Sequence, residues 1–193
     1  MPVGGAHRPD GGRARPRKSV AVGVRRDASV EDVPCLLVVH HSPTAAVTGL
    51  TEAALAGAGH EDLAEVDVVA RPALEAAAEE VLAADAVLLG TPANFGYMSG
   101  ALKHFFDSTF LAIGGALSDD GSAAGGSGGR LPFGLYVHGR YDTTGAVRAV
   151  LSITGALPWR QAAPVLEVLG DVTPEDRQQA AELGATLGAL TLP

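Results

Sequence analysis

The chain has 193 residues, 47% of them hydrophobic, and a formal net charge of −8. That length fits one ordinary domain with a real core, and no run approaches the ~20 apolar residues that span a bilayer. The single cysteine, Cys35, excludes an internal disulfide and suits a reducing compartment.

The charge is unevenly spread. Residues 1–26 hold seven basic groups and one acid, whereas residues 27–193 hold seven basic groups and twenty-one acids. An acidic body repels nucleic acid over most of its surface, so neither nucleic acid nor membrane is an expected partner. Residues 1–33 are rich in Gly, Pro and Arg, and read as a disordered basic N-terminal tail. Within it, only Val20 to Val24 can pair as a strand. No apolar run of secretion-signal length follows the basic start, and Arg25-Arg26 lead into Asp27, Glu31 and Asp32, which argues against twin-Arg export. A cytoplasmic location is expected.

Residues 34–193 read as one α/β domain. Cys35 to His40 is a near-continuous apolar run, which suits a first strand buried on both faces. A loop from His41 follows, then a helix to about Ala56, stopped by Gly57 and Gly59. Val66 to Ala70 alternates around Asp67, as an edge strand does. Pro72 opens a second helix to about Ala83. Ala86 to Gly90 is the third strand, and Thr91 to Met98 is a loop. The next helix, Ser99 to about Ile113, sets Leu102, Phe106, Phe110 and Ile113 on one face.

Gly114 to Arg130 is a glycine-rich, low-complexity loop without the spacing of a phosphate loop. Phe133 to His138 is the fourth strand, and Thr143 or Thr144 caps a helix to about Thr154. Ala162 to Leu169 is the fifth strand. Thr173-Pro174-Glu175-Asp176 is a strong helix start: a capping hydroxyl, proline at the first position, then acids at the positive dipole end. That helix runs to about Leu190. Five strands alternating with five helices argue for a parallel sheet covered on both faces, with right-handed crossovers.

In such a sheet, ligands bind at the carboxyl ends of the strands. Three loops there carry candidates. In the first, Ser42 and Thr44 offer hydroxyls, and Ala45, Ala46 and Val47 offer the unpaired amides of a helix start. Together they can hold a dianionic phosphate; the alternative is that a hydroxyl merely caps the helix. In the central loop, Pro92, Ala93, Asn94, Phe95, Gly96 and Tyr97 combine backbone-fixing residues with exposed aromatics, and Met98 either joins them or turns into the core. The third loop contributes His138, Gly139, Arg140 and Tyr141. His40 and His41 are adjacent, so they face opposite sides. No set of His, Cys, Asp and Glu has zinc spacing, so no metal is expected. There is no GxSxG elbow, and the third strand ends without an aspartate to accept phosphate. Asp107 reads as a structural partner on its helix. No residue stands out as a catalytic acid, base or nucleophile.

The run GTPANFGYMSGALKHFFD, Gly90 to Asp107, resembles the isoalloxazine-binding loop and following helix of the flavodoxin-like family. Gly-Thr-Pro, the aromatic–Gly pair and Met-Ser-Gly occur in order. The nearer branch is that of the FMN-dependent NAD(P)H:quinone oxidoreductases and the NADPH-dependent FMN reductases. Over Cys35 to Leu192 the resemblance is one of layout. It implies a flavodoxin-like three-layer sandwich, a five-stranded parallel sheet of order 2-1-3-4-5.

The resemblance also implies FMN as cofactor, with its phosphate at Ser42 to Val47 and its ring between Pro92–Tyr97 and His138, Gly139 and Tyr141. NADPH or NADH would be the donor, and a quinone or flavin the small-molecule acceptor; a homo-oligomer is in keeping. The family's Ser-x-Thr-Gly-Asn-Thr run is matched at Ser42 and Thr44, but Ala45, Ala46 and Val47 replace the rest. Two other readings stand beside the oxidoreductase. One is a flavodoxin-type electron carrier, whose acidic surface steers a basic partner. The other is a non-catalytic binding module on the same fold.

Overall fold

Successive residues of a strand point to opposite faces of its sheet, and the central strands of this protein sort their side chains accordingly. In the computed structural model, which describes residues 1, 33–114 and 131–193, the fold occupies the unit Asp32–Pro193. The expectations for the basic tail and for the glycine-rich run fall on residues 2–32 and 115–130, outside those described.

The sheet is built from β1 (Cys35–His40), β2 (Asp67–Pro72), β3 (Ala86–Asn94), β5 (Leu131–Gly139) and β6 (Trp159–Gln161), in the order β2-β1-β3-β5-β6. All of these pairings are parallel. A short β4 (Tyr97–Met98) pairs antiparallel with β3, and β7 (Leu166–Leu169) pairs parallel with β5. The helices are α1 (Ala45–Ala58), α2 (Ala78–Ala83), α3 (Gly100–Thr109), α4 (Thr144–Thr154) and α5 (Pro174–Ala189). The expected flavodoxin-like order holds: β2, β1, β3 and β5 stand as predicted, with β6 and β7 together in fifth place.

Leu37, Val39, Val87, Leu89, Leu135 and Val137 join Leu102, Phe105 and Phe106 of α3 and Val150 of α4 in one buried cluster. Leu36, Val38, Leu88 and Tyr136 join Val47, Leu50 and Ala54 of α1 and Ala180, Leu183 and Leu187 of α5 in the other. Two glycines let α1 and α5 touch backbone to backbone. A β-carbon on Gly57 would lie 1.9 Å from the Ala181 carbonyl oxygen, and one on Gly184 would lie 1.9 Å from that of Ala54.

Three expectations need correction. The third strand does not end at Gly90 but continues to Asn94. Pro92 reads as a breaker, yet β1 has already ended opposite Gly90, so β3 is an edge there and tolerates a residue without an N–H. The second helix does not begin at Pro72. Arg71 and Pro72 pair with Val39 and His40 in the sheet, and α2 starts only at Ala78. There Glu80 accepts from the Ala77 amide at 3.0 Å and binds Arg71 Nε at 2.5 Å. The fifth strand is two pieces. Gln161 pairs with Phe133 and Leu166 with Tyr136, so the edge carries two more residues than β5 over the same span. Pro164 lies in this bulge, which is where an edge strand accommodates proline.

Candidate functional site

Because β1, β3 and β5 run parallel, their carboxyl ends at His40, Asn94 and Gly139 share one rim of the sheet. The amide of His41 donates to the Gly90 carbonyl at 3.0 Å, which ties the first loop to the central strand.

In the first loop, Thr44 is the N-cap of α1 and accepts from the Val47 amide at 3.4 Å. Val47 itself is buried in the second core cluster. The next amides, Ala45 and Ala46, have no partner among the described residues, as the first turn of a helix dictates. Ser42 faces inward. Its Oγ lies 2.9 Å from His40 Nδ1 and 2.7 Å from Thr51 Oγ1. Thr51 Oγ1 donates to the Val47 carbonyl at 2.9 Å and lies 2.6 Å from the Tyr136 hydroxyl. Thr48 donates to the Ser42 carbonyl at 3.3 Å.

One proton arrangement satisfies this network. The Thr51 proton goes to Val47, so both Tyr136 and Ser42 donate to Thr51, and His40 Nδ1–H donates to Ser42. Burial pushes the Tyr136 phenol well above its ordinary value, against the opposing effect of the Thr51 and Ser42 hydroxyls. It therefore stays protonated and donates. Burial, with the neighbouring His41 second, holds His40 below the ordinary imidazole range, so the ring is neutral near pH 7.

The central loop is a hairpin rather than an open loop. Ala93 pairs with Met98 and Asn94 with Tyr97, which leaves Phe95 and Gly96 as a two-residue turn. Their φ angles are +53° and +74°, the left-handed pair that a type I′ hairpin requires. Thr91 anchors the base, accepting from the Ser99 amide at 3.0 Å. Ser99 then caps α3 by accepting from the Leu102 amide at 3.2 Å. Met98 turns into the core, whereas Phe95 is fully exposed and Tyr97 is 45% exposed. The turn rests on α4: a β-carbon on Gly145 would lie 2.2 Å from the Gly96 carbonyl oxygen.

In the third loop, Gly139 is buried where a β-carbon would meet the Asp142 carbonyl, Thr143 and Ala93. That close approach brings the second and third loops together. Tyr141 is exposed. His138 Nε2 donates to the Gly170 carbonyl at 2.8 Å, so this ring braces the turn before α5. Arg140 is exposed and pairs with Asp171 at 2.6 Å; hydrogen bonding to Asp171 raises its pKa further. Thr143 precedes α4 without a side-chain cap and instead donates to Glu167 at 2.6 Å. Asp142 takes the capping role, accepting from the Thr144 amide at 3.0 Å, which lowers its pKa.

The predicted residues thus fall into two sets. Thr44, Ala45, Ala46, Asn94, Phe95, Gly96, Tyr97, Gly139 and Tyr141 lie at the rim. Ser42, Val47, Pro92, Ala93 and His138 support it from within or behind. Sequence reasoning missed Thr51 and Tyr136, which sit beneath the first loop. Their one trace in the sequence is a buried tyrosine on β5 facing a glycine, Gly90, on β3.

The donor set at the rim is of a kind that suits FMN. The amides of Ala45 and Ala46 and the Thr44 hydroxyl proton are open to an anion, at the positive end of a helix dipole. No lysine or arginine lies between Arg26 and Arg71, so the backbone must carry that task. On the same connection, His41 Nδ1 is buried with no hydrogen-bond partner. The exposed aromatics Phe95, Tyr97 and Tyr141 offer flat apolar faces. Among the described residues no cluster of His, Cys, Asp and Glu can hold a metal.

A NAD(P)H dehydrogenase (quinone) of Geobacter metallireducens is 36% identical over 66 residues, covering 34% of this chain and 30% of that protein. The chain therefore spans less than a third of that relative's length. Among solved structures, a flavodoxin from the domain Archaea superimposes with a TM-score of 0.63 at 17% identity, over 81% of this chain and 98% of that one. A flavodoxin of Streptococcus pneumoniae TIGR4 gives 0.61 at 17%, over 80% and 98%. The WrbA-like protein from Agrobacterium tumefaciens gives 0.58 at 18%, over 82% and 97%. At such identities these three speak for the flavodoxin-like fold. The model of the NADPH-dependent FMN reductase family matches residues 44–165, a span from the first loop through the hairpin to the edge bulge, and the chain belongs to that family.

Proposed function

We propose that the protein is an FMN-dependent oxidoreductase that moves electrons from NAD(P)H to a small-molecule acceptor, a quinone or a second flavin. The observation that carries this reading is the β3–β4 hairpin. It holds Phe95 and Tyr97 exposed on a rim shared with the amino-terminal end of α1 and with Tyr141. FMN, when bound, supplies the hydride and electron chemistry. The chain supplies position and environment. The Ala45 and Ala46 amides and the Thr44 hydroxyl hold the phosphate. Backbone groups from Pro92 to Gly96, with Asn94, meet the polar edge of the ring system. Phe95, Tyr97 and Tyr141 cover its faces and leave one open pocket that donor and acceptor use in turn. Arg140 offers a positive charge to the donor's phosphates.

The electron-carrier reading is favoured by one observation, the excess of fourteen acids over bases in residues 27–193. An acidic surface would steer a basic redox protein. In the oxidoreductase, the acceptor is a soluble small molecule and the location the cytoplasm, with neither nucleic acid nor membrane as partner. Flavin titration of the purified protein, followed by fluorescence quenching, tests the site. FMN should bind much more tightly than riboflavin, which lacks the phosphate. Equal affinity for the two would remove the phosphate assignment.

A further inference from the structure

The hydroxyl network beneath the first loop joins four elements. His40 ends β1, Ser42 lies in the loop, Thr51 is two turns into α1, and Tyr136 comes from β5. Thr51 is the hub: its oxygen meets Ser42, Tyr136 and the Val47 carbonyl within 2.9 Å. Both Thr51 and Tyr136 are buried, so neither can touch a ligand. The space for the Tyr136 ring exists only because residue 90 is glycine. A β-carbon there would lie 2.1 Å from the ring.

We infer that Thr51 and Tyr136 are positioning residues that set the phosphate end of the first loop, and so select a flavin that carries a phosphate. This rests on the proposed flavin site. With the Tyr136 proton donated to Thr51 and the Thr51 proton donated to Val47, the only remaining role for Ser42 is to donate inward. Its hydroxyl is thereby withdrawn from the ligand side. Its carbonyl is held at the same time by Thr48. The loop is then pinned at Ser42 by side chain and backbone together, and Thr44 to Ala46 are presented in one conformation. A cradle made of amides depends on such pinning more than one made of lysines. Amides act only along their N–H directions, whereas a lysine can swing to find its anion. A fully satisfied buried network is a suitable brace, because each member left unpaired is costly.

The test compares FMN and riboflavin affinities of the full-length wild type, Tyr136→Phe, Thr51→Val and Thr51→Ser. Tyr136→Phe removes one oxygen and keeps the ring, so the core stays filled. Its FMN dissociation constant should rise roughly five- to tenfold, the scale of one ordinary hydrogen bond, with riboflavin affinity unchanged. Thr51→Val should lose more of the preference, and Thr51→Ser should restore it. Variants that melt earlier but keep the wild-type ratio of FMN to riboflavin affinity would make the network merely structural, and the inference would be wrong. A wild type that does not prefer FMN would remove the phosphate site itself, a failure visible before any variant is made.

Discussion

Gly90 of β3 and Tyr136 of β5 are register partners across the parallel ladder, and the tyrosine ring occupies the space a β-carbon of residue 90 would need. The clash involves the ring carbon Cζ and the hydroxyl, both 2.1 Å away. Overpacking of a closed core costs about 1–3 kcal/mol. Gly90→Ala should therefore lower the unfolding free energy by about that much in a urea titration. Tyr136→Phe in the same chain should not rescue it, because the ring remains. Tyr136→Val should recover part of the loss. If Gly90→Ala proves neutral alone, the ring does not sit where the structure has it.

Phe95 holds a left-handed backbone with its side chain in solvent. A side chain other than glycine gives up roughly 1–2 kcal/mol in that conformation, and here no packing offsets it. Asparagine tolerates the region better. Phe95→Asn should raise the midpoint of thermal unfolding while weakening flavin binding and turnover. A variant that gained stability and kept full activity would take Phe95 out of the site and leave its strain without a function.

Arg140 and Asp171 form an exposed ion pair between the third loop and the start of α5. Exposed pairs contribute little to folding, so Arg140→Ala should leave the melting temperature unchanged. It should raise the KM for NADPH more than it lowers kcat, the signature of lost binding rather than lost chemistry. Asp171→Asn frees the guanidinium and should shift KM the other way. Steady-state kinetics that leave both KM values at wild type would separate Arg140 from donor binding.

His40 is held below the ordinary imidazole range by burial and by His41. On acidification the unfolded chain takes up this proton first, near pH 6.5. Stability should therefore begin to fall below about pH 6.5 and stop falling from this source once the folded imidazole is also protonated. Asp142 and Asp176, whose pKa values are lowered by hydrogen bonds from their capping partners, act in the same direction. Their losses come only at lower pH, below about 4. Unfolding measured from pH 7.5 downward should show the earlier decline in the wild type and lack it in His40→Gln. An unchanged decline in that variant would assign it elsewhere.

What the sequence disclosed followed from local chemistry. Cys35 to His40 is apolar enough to be buried on both faces, and Thr173-Pro174-Glu175-Asp176 forms its capping box, with Thr173 accepting from the Asp176 amide at 3.2 Å. The rim was legible for the same reason: Gly96 falls in the turn after β3 and Gly139 ends β5. The hairpin was not, because its turn carries Phe95 where asparagine is the usual signal, and because Pro92 looks like a stop until β1 is known to end beside it. The split fifth strand follows from two extra residues that only the pairing with β5 exposes. Thr51 and Tyr136 are 85 residues apart. No periodicity links them; only the folded sheet does.

Turnover by way of the open rim has a direct kinetic signature. The direct measurement is the initial rate of NADPH and NADH oxidation by the full-length protein, with saturating FMN and a soluble benzoquinone varied against the donor. Alternating use of one pocket predicts rates well above the free-flavin background and parallel double-reciprocal lines, as ping-pong exchange requires. Rates no higher than those of free FMN with either donor would contradict the account and leave the electron-carrier reading in its place.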